Sequence, residues 1–280
     1  MDTHLTAKTQ FVQANGVQYA YRRFGAEIGT PLLMLPHLRA GMDHWDPVVT
    51  DGLAAGRPVI LFNNAGIASS TGKPADTMDR AADHVARFLG LLGVKAVDLL
   101  GFSIGGYIAQ SVVLDHPQLV RRLILVGTAP RGGEPATDPR ILQFASNPVP
   151  KVEDFLFLFF APSATSQAAG RTFWDRRHMR KDQDPPSTPE VFKAQIASIG
   201  EFRQPRGEKL SELQNIHQPT LVVNGSQDVM VPTINSFTLS QRIPNAQLIV
   251  YPNSGHGALF QYPNLFVKHA SIFLDSNSFD

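Results

Sequence analysis

Cysteine is absent from this 280-residue chain. Its absence excludes a disulfide scaffold, a thiolate zinc site and a cysteine nucleophile together. An excess of charge is lacking too: 25 basic against 24 acidic residues leave a net of +1. No electrostatic case arises for nucleic acid or an anionic membrane surface. The densest apolar run, FLFLFFA at 155–161, is far too short to span a bilayer. The N-terminal Met1-Asp2-Thr3-His4 has no basic stretch followed by an apolar one, so no secretory signal is expected. Neither His-x-His nor His-Glu-x-x-His occurs, Asp51-Gly52 lacks the rest of a calcium loop, and no glycine-rich phosphate loop is found. No metal and no cofactor are therefore expected. The expectation is a soluble, cytoplasmic protein, monomer or homodimer, that acts on a small molecule and has no nucleic-acid or membrane partner.

What is present is ample apolar material, 43% of residues. A chain of this length buries roughly 70–75% of its unfolded surface, as one large domain or two small ones. Strands are expected at 9–14, 17–24, 31–35, 58–62, 96–101, 122–127, 219–224 and 247–251. PLLML, PVILF, VDLLG and LILVG are almost wholly apolar without alternation, which suits parallel strands covered on both faces. The first two runs alternate around Asn15-Gly16 and read as an antiparallel hairpin. Met78, Ala81, Ala82, Val85, Phe88, Leu89 and Leu92 form the stripe of an amphipathic helix over 77–92, ended by Gly93. Further helices are expected from 103 or 104 to about 116, over 233–242 and over 264–275. The alternation argues for an α/β fold with a doubly covered, mostly parallel eight-stranded sheet.

From 131 to 218 no convincing strand appears, proline is frequent, and helical patches fall at 151–160 and 189–200. Such a stretch reads as a helical insertion between two strands, dividing the chain into a core of 1–130 and 219–280 and an insertion of 131–218. Nine of the aromatic residues, among them Phe155, Phe159, Phe173 and Trp174, fall in it and suit the roof of an apolar pocket. The basic cluster Arg171, Arg176, Arg177, Arg180 and Lys181 reads as a solvated helix face, with attraction of anionic substrates as the sharper alternative.

The chemistry lies at Gly101-Phe102-Ser103-Ile104-Gly105, where a buried strand runs into a helix. A turn this sharp crowds the residues two places either side of Ser103, and glycine at 101 and 105 relieves that crowding. A bare match of this pattern arises by chance in roughly one such chain in ten, so the strand before and the helix after carry the argument. The rival role for Ser103 is a helix cap.

A serine hydroxyl needs a base, and the base an orienting acid. Of nine histidines, His84 and His116 read as structural and His269 as a helix-surface residue. His256 follows the last strand in a tight Ser254-Gly255-His256-Gly257 loop, at the sheet edge where open α/β sheets place their sites. Asp228 leaves the preceding strand in Gly225-Ser226-Gln227-Asp228; its alternative is a turn residue.

These three motifs, in this chain order and over nearly the whole length, resemble the α/β-hydrolase superfamily, most of all its small single-chain members with a short helical cap. The resemblance implies Ser103 as nucleophile, His256 as base and then acid, Asp228 as orienter, and the Ile104 N–H as one oxyanion donor. It places 131–218 as the cap. Two stretches depart from the family's pattern. His37-Leu38-Arg39 lacks the glycine after the histidine, so the second donor is Leu38 or, after it, Arg39. Asn63-Asn64-Ala65-Gly66 lacks the Asp and Arg of many relatives. His37, Arg39, Phe102 and Trp174 are the expected substrate-binding residues.

The expected function is hydrolysis of a carboxylic ester or lactone of an apolar small molecule through an acyl-enzyme. The rivals are C–C bond hydrolysis, perhydrolysis or acyl-transfer cyclisation by the same three residues, and a low-turnover receptor on the same fold.

Overall fold

The computed structural model describes residues 1–276; the last four residues of the expected core segment 219–280 lie outside them. Eight strands form one sheet: β1 (Gln10–Ala14), β2 (Val17–Gly25), β3 (Leu32–Leu35), β4 (Pro58–Phe62), β5 (Val97–Phe102), β6 (Val120–Val126), β7 (Thr220–Gly225) and β8 (Ala246–Tyr251). The helices are α1 (Pro47–Ala54), α2 (Met78–Leu91), α3 (Ile104–Asp115), α4 (Arg140–Ala145), α5 (Val152–Phe159), α6 (Ala164–Arg177), α7 (Pro189–Phe202), α8 (Ile234–Arg242), α9 (Ala258–Gln261) and α10 (Pro263–Asp275). Among the described residues no helix is long and apolar enough to cross a membrane.

The strand order is β1-β2-β4-β3-β5-β6-β7-β8. β2 runs antiparallel to both its neighbours, and every other pair is parallel. The β1–β2 turn is Asn15-Gly16 with φ of 51° and 77°, the left-handed pair a two-residue hairpin needs. After β3 the chain moves outward to β4 and returns to place β5 on the other side of β3. That reversal opens a crevice beyond the C-terminal ends of β3 and β5.

Strand alternation divides the interior in two. Leu33, Leu35, Leu99, Leu123 and Val222 pack with Val85, Phe88 and Val112 of α2 and α3. Leu32, Met34, Leu100, Ile124 and Val223 pack with Val49, Leu53, Phe266 and Phe273 of α1 and α10. Both faces being covered, β3, β4, β5 and β7 are buried at every position, which is why their sequences show no polar alternation.

Helices α4 to α7 occupy the stretch between β6 and β7. The basic cluster here is not one solvated face. Arg171 and Lys181 are exposed, but Arg177 and Arg180 are buried and Arg176 is half-buried. Arg176 holds Asp46 through Nη2 at 2.5 Å, and Arg180 donates to the His4 and Ala7 carbonyls at 2.9 and 2.8 Å. Arg177 lies over the rings of Phe155 at 4.4 Å and Trp174 at 4.9 Å. Burial pushes its pKa down to about 10.

Candidate active site

Ser103 stands between β5 and α3 with φ 59° and ψ −122°, a conformation that costs an L-residue on the order of 1–3 kcal/mol. Its surroundings impose it. A Cβ on Gly101 would lie 2.4 Å from the Gly105 carbonyl oxygen, and one on Gly105 would lie 2.1 Å from that of Leu35. Ser103 N–H donates to the Val126 carbonyl at 2.9 Å, and Thr128 Oγ1 donates to the Ser103 carbonyl at 2.9 Å. Although Ser103 precedes α3, its side chain makes no capping bond, so its hydroxyl is not spent on the helix.

Asp228 divides its two oxygens. Oδ1 accepts the Met230 and Val231 amides, each at 2.9 Å, as a turn residue would. Oδ2 lies 2.8 Å from His256 Nδ1, and both side chains are wholly buried. Nδ1 therefore carries the proton, and Nε2 presents a lone pair. That Nε2 is buried with no hydrogen-bond partner. The acid and histidine loops meet backbone to backbone: a Cβ on Gly225 would lie 2.1 Å from the Gly255 carbonyl oxygen.

Ser103 and His256 open on one pocket of about 110 Å³. His37, Leu38, Arg39 and His44 of the segment after β3 line one side; Phe155, Leu158 and Phe159 of α5 and Pro186-Ser187 line the other. Arg39 has φ 62°, and its N–H donates to Gln195 Oε1 of α7 at 2.7 Å. The Leu38 N–H has no partner among the described residues, leaving it the freer of the two donors. Arg39 borders the pocket, but its guanidinium donates to the carbonyls of Asn147 at 2.7 Å and Pro148 at 3.1 Å. It ties the insertion down.

Of the expected substrate-binding residues, His37 and Arg39 line the pocket and two do not. Phe102 is fully buried behind the wall, with its ring 5.0 Å from that of His256. It is the last residue of β5, and its ring also packs on those of His37 at 5.7 Å and Phe159 at 5.8 Å, from behind. Trp174 packs outside, on Phe155 at 5.2 Å and His178 at 4.6 Å. His44 also lines the pocket; the Gly41 N–H on its Nδ1 at 3.2 Å and the His37 ring at 5.5 Å hold it there, and no local sequence pattern marks it. His269 is half-buried and bonds Tyr251 Oη at 2.8 Å, so it is not a free surface residue.

Burial, with the Arg177 charge second, pushes the His37 pKa down to about 3. The same two causes hold His44 well below the usual imidazole range. Among the described residues no group of three His, Cys, Asp or Glu is placed to hold a metal ion.

A family model described as alpha/beta hydrolase fold matches residues 30–263. The chain belongs to that family. A solved structure, an alpha/beta hydrolase fold protein from Chitinophaga pinensis, is 36% identical with a TM-score of 0.92, over 98% of this chain and all of that one. A pimeloyl-[acyl-carrier protein] methyl ester esterase of Nitrosomonas europaea is 27% identical over 86% of this chain and 94% of its own length. A 2-hydroxymuconate semialdehyde hydrolase of Pseudomonas sp. (strain CF600) is 29% identical over 88% and 87%. These relatives support a hydrolase.

Proposed function

We propose that this protein is a serine hydrolase that cleaves a carboxylic ester or lactone of a small apolar molecule through an acyl-enzyme on Ser103. The observation that carries the reading is the buried 2.8 Å pair of Asp228 Oδ2 and His256 Nδ1, which leaves Nε2 bare on a ring that lines the same pocket as Ser103. His256 Nε2 takes the proton of Ser103 as Oγ attacks the carbonyl carbon, and Asp228 stabilises the imidazolium. The Ile104 and Leu38 amides receive the oxyanion, Ile104 standing at the first turn of α3 where N–H groups have no helical partner. His256 then protonates the leaving alkoxide. Water, deprotonated by the same nitrogen, releases the acid. The insertion 131–218 acts as a cap: Phe155, Leu158 and Phe159 supply apolar walls that select the substrate and restrict water.

The test is intact mass after exposure to a fluorophosphonate, with Ser103→Ala alongside. One adduct on the wild type and none on the variant is the expected result. An unlabelled wild type, or turnover of esters by Ser103→Ala at a comparable rate, would overturn the mechanism. A second reading, C–C bond hydrolysis, draws on the printed name of the 2-hydroxymuconate semialdehyde hydrolase. Faster cleavage of a vinylogous β-diketone than of matched esters would favour it.

A further inference from the structure

His37 and His44 border the same pocket as Ser103 and His256, their ring centroids 5.5 Å apart and their planes at 78°. The proposed hydrolysis uses neither ring. Each commits one nitrogen to the backbone, in opposite senses. His37 Nδ1 lies 3.0 Å from the Leu38 carbonyl oxygen. A carbonyl only accepts, so Nδ1 holds the proton and Nε2 is an acceptor. His44 Nδ1 accepts the Gly41 N–H at 3.2 Å, so here Nε2 holds the proton and donates. His37 Nε2 is buried with no partner, and no hydrogen bond reaches His44 Nε2 among the described residues. Burial and the nearby Arg177 charge keep both rings neutral, so the acceptor is not converted into a second donor.

We propose that His37 Nε2 and His44 Nε2–H form a polar subsite for an uncharged hydroxyl of the substrate. The hydroxyl O–H donates to His37, and its oxygen accepts from His44. An oxygen between the two nitrogens would make two hydrogen bonds of about 2.9 Å, and the ring centroids stand 5.5 Å apart. A carboxylate has no proton to give His37, and an ammonium has no lone pair for His44. The substrate class narrows to esters or lactones that carry a hydroxyl on an otherwise apolar body. This subsite rests on the reading of Ser103 as nucleophile.

The experiment compares kcat/KM for ethyl butanoate, its 2-, 3- and 4-hydroxy derivatives and monoethyl succinate, by pH-stat, on enzyme whose Ser103 has been checked for fluorophosphonate labelling. At least one hydroxy ester should exceed the parent by about tenfold, equivalent to about 1.4 kcal/mol. That ratio should fall below threefold in His44→Phe and return in part in His44→Gln, whose amide keeps a donor. Should His44→Phe not fold, His37→Phe carries the same readout. The subsite is refuted if labelled wild type shows no hydroxyl preference, or if the preference survives in the Phe variants. Monoethyl succinate as the best substrate would also refute it. Failure of Ser103 to label brings down the nucleophile reading beneath it, a separate result.

Discussion

The two walls of the pocket are built by different means. On the sheet side, backbone places every group: Ser103 by glycines whose replacement would clash, Asp228 by two amides, His256 by a loop pressed on the Gly225 turn. On the insertion side, polar side chains do the placing. Arg39 holds the carbonyls at 147 and 148. Asp184 accepts from Asn63 Nδ2 at 2.7 Å and Ser69 Oγ at 2.5 Å, while its N–H donates to Asp43 Oδ2 at 2.6 Å. Asp43 in turn pairs with the fully buried Arg22. The lesson is one of division: the wall that carries Ser103, Asp228 and His256 is fixed by close backbone packing with little freedom to vary, and the insertion wall hangs on a few replaceable side-chain hydrogen bonds and one buried ion pair.

Changes on the two sides should therefore fail differently. Asp228→Asn keeps an oxygen for the Met230 and Val231 amides but loses the charge beside His256. We expect kcat to fall by about 10³–10⁴-fold with the urea midpoint nearly unmoved; activity within tenfold of wild type would break the contrast. The next effect is on acid stability. His4 and His37 are buried neutral, with pKa values lowered to about 4 and about 3. The unfolded chain binds protons below pH 6.5 that the folded state refuses, so stability is full above that value and is lost as pH falls towards 4. Each pKa unit corresponds to about 1.4 kcal/mol, so at pH 5 the two together withdraw about 4 kcal/mol. Urea unfolding at pH 7 and pH 5 measures it, and His4→Gln should remove roughly half.

On the insertion side, Asp184→Ala breaks the bonds to Asn63 and Ser69. It should cost about 2–3 kcal/mol, as for hydrogen bonds to a charged group, and raise KM several-fold with kcat within about threefold. A kcat loss as deep as that of Asp228→Asn would show the two walls to be one mechanical unit. Arg39→Met, the mildest change, should loosen the segment at 145–148 at a cost of about 1 kcal/mol. Its signature is faster labelling of Ser103 by bulky fluorophosphonates, read by quench-flow mass spectrometry; an unchanged rate would mean that Arg39 does not hold the pocket shut.

Legibility in the sequence follows the same division. The eight strands were readable to within two residues at either end: β3, β4, β5 and β7 because doubly covered strands are apolar throughout, β1 and β2 because their residues alternate around Asn15-Gly16. Ser103, Asp228 and His256 were readable as candidates because each leaves a strand's C-terminal end beside glycine. The choice between Leu38 and Arg39 was not, since it turns on Gln195, 156 residues further along. Nor was the fate of the basic cluster, where Arg176 meets Asp46 across 130 residues. Trp174 and Phe173 are neighbours on α6, and only the helix's rotation against α5 and α9 decided that Phe173 is buried and Trp174 lies outside the pocket wall.

By itself, the sequence determined the class of fold, the order of its strands along the chain and the candidate reactive residues, because those depend on local periodicity and on steric demands met within a few residues. Only the tertiary structure decided that the Arg39 amide is taken by Gln195, which arginines are buried, and that His37 and His44 line one pocket with opposite hydrogen-bonding senses. These depend on partners far apart in the chain, and no local pattern records which distant side chain will satisfy a buried donor or acceptor.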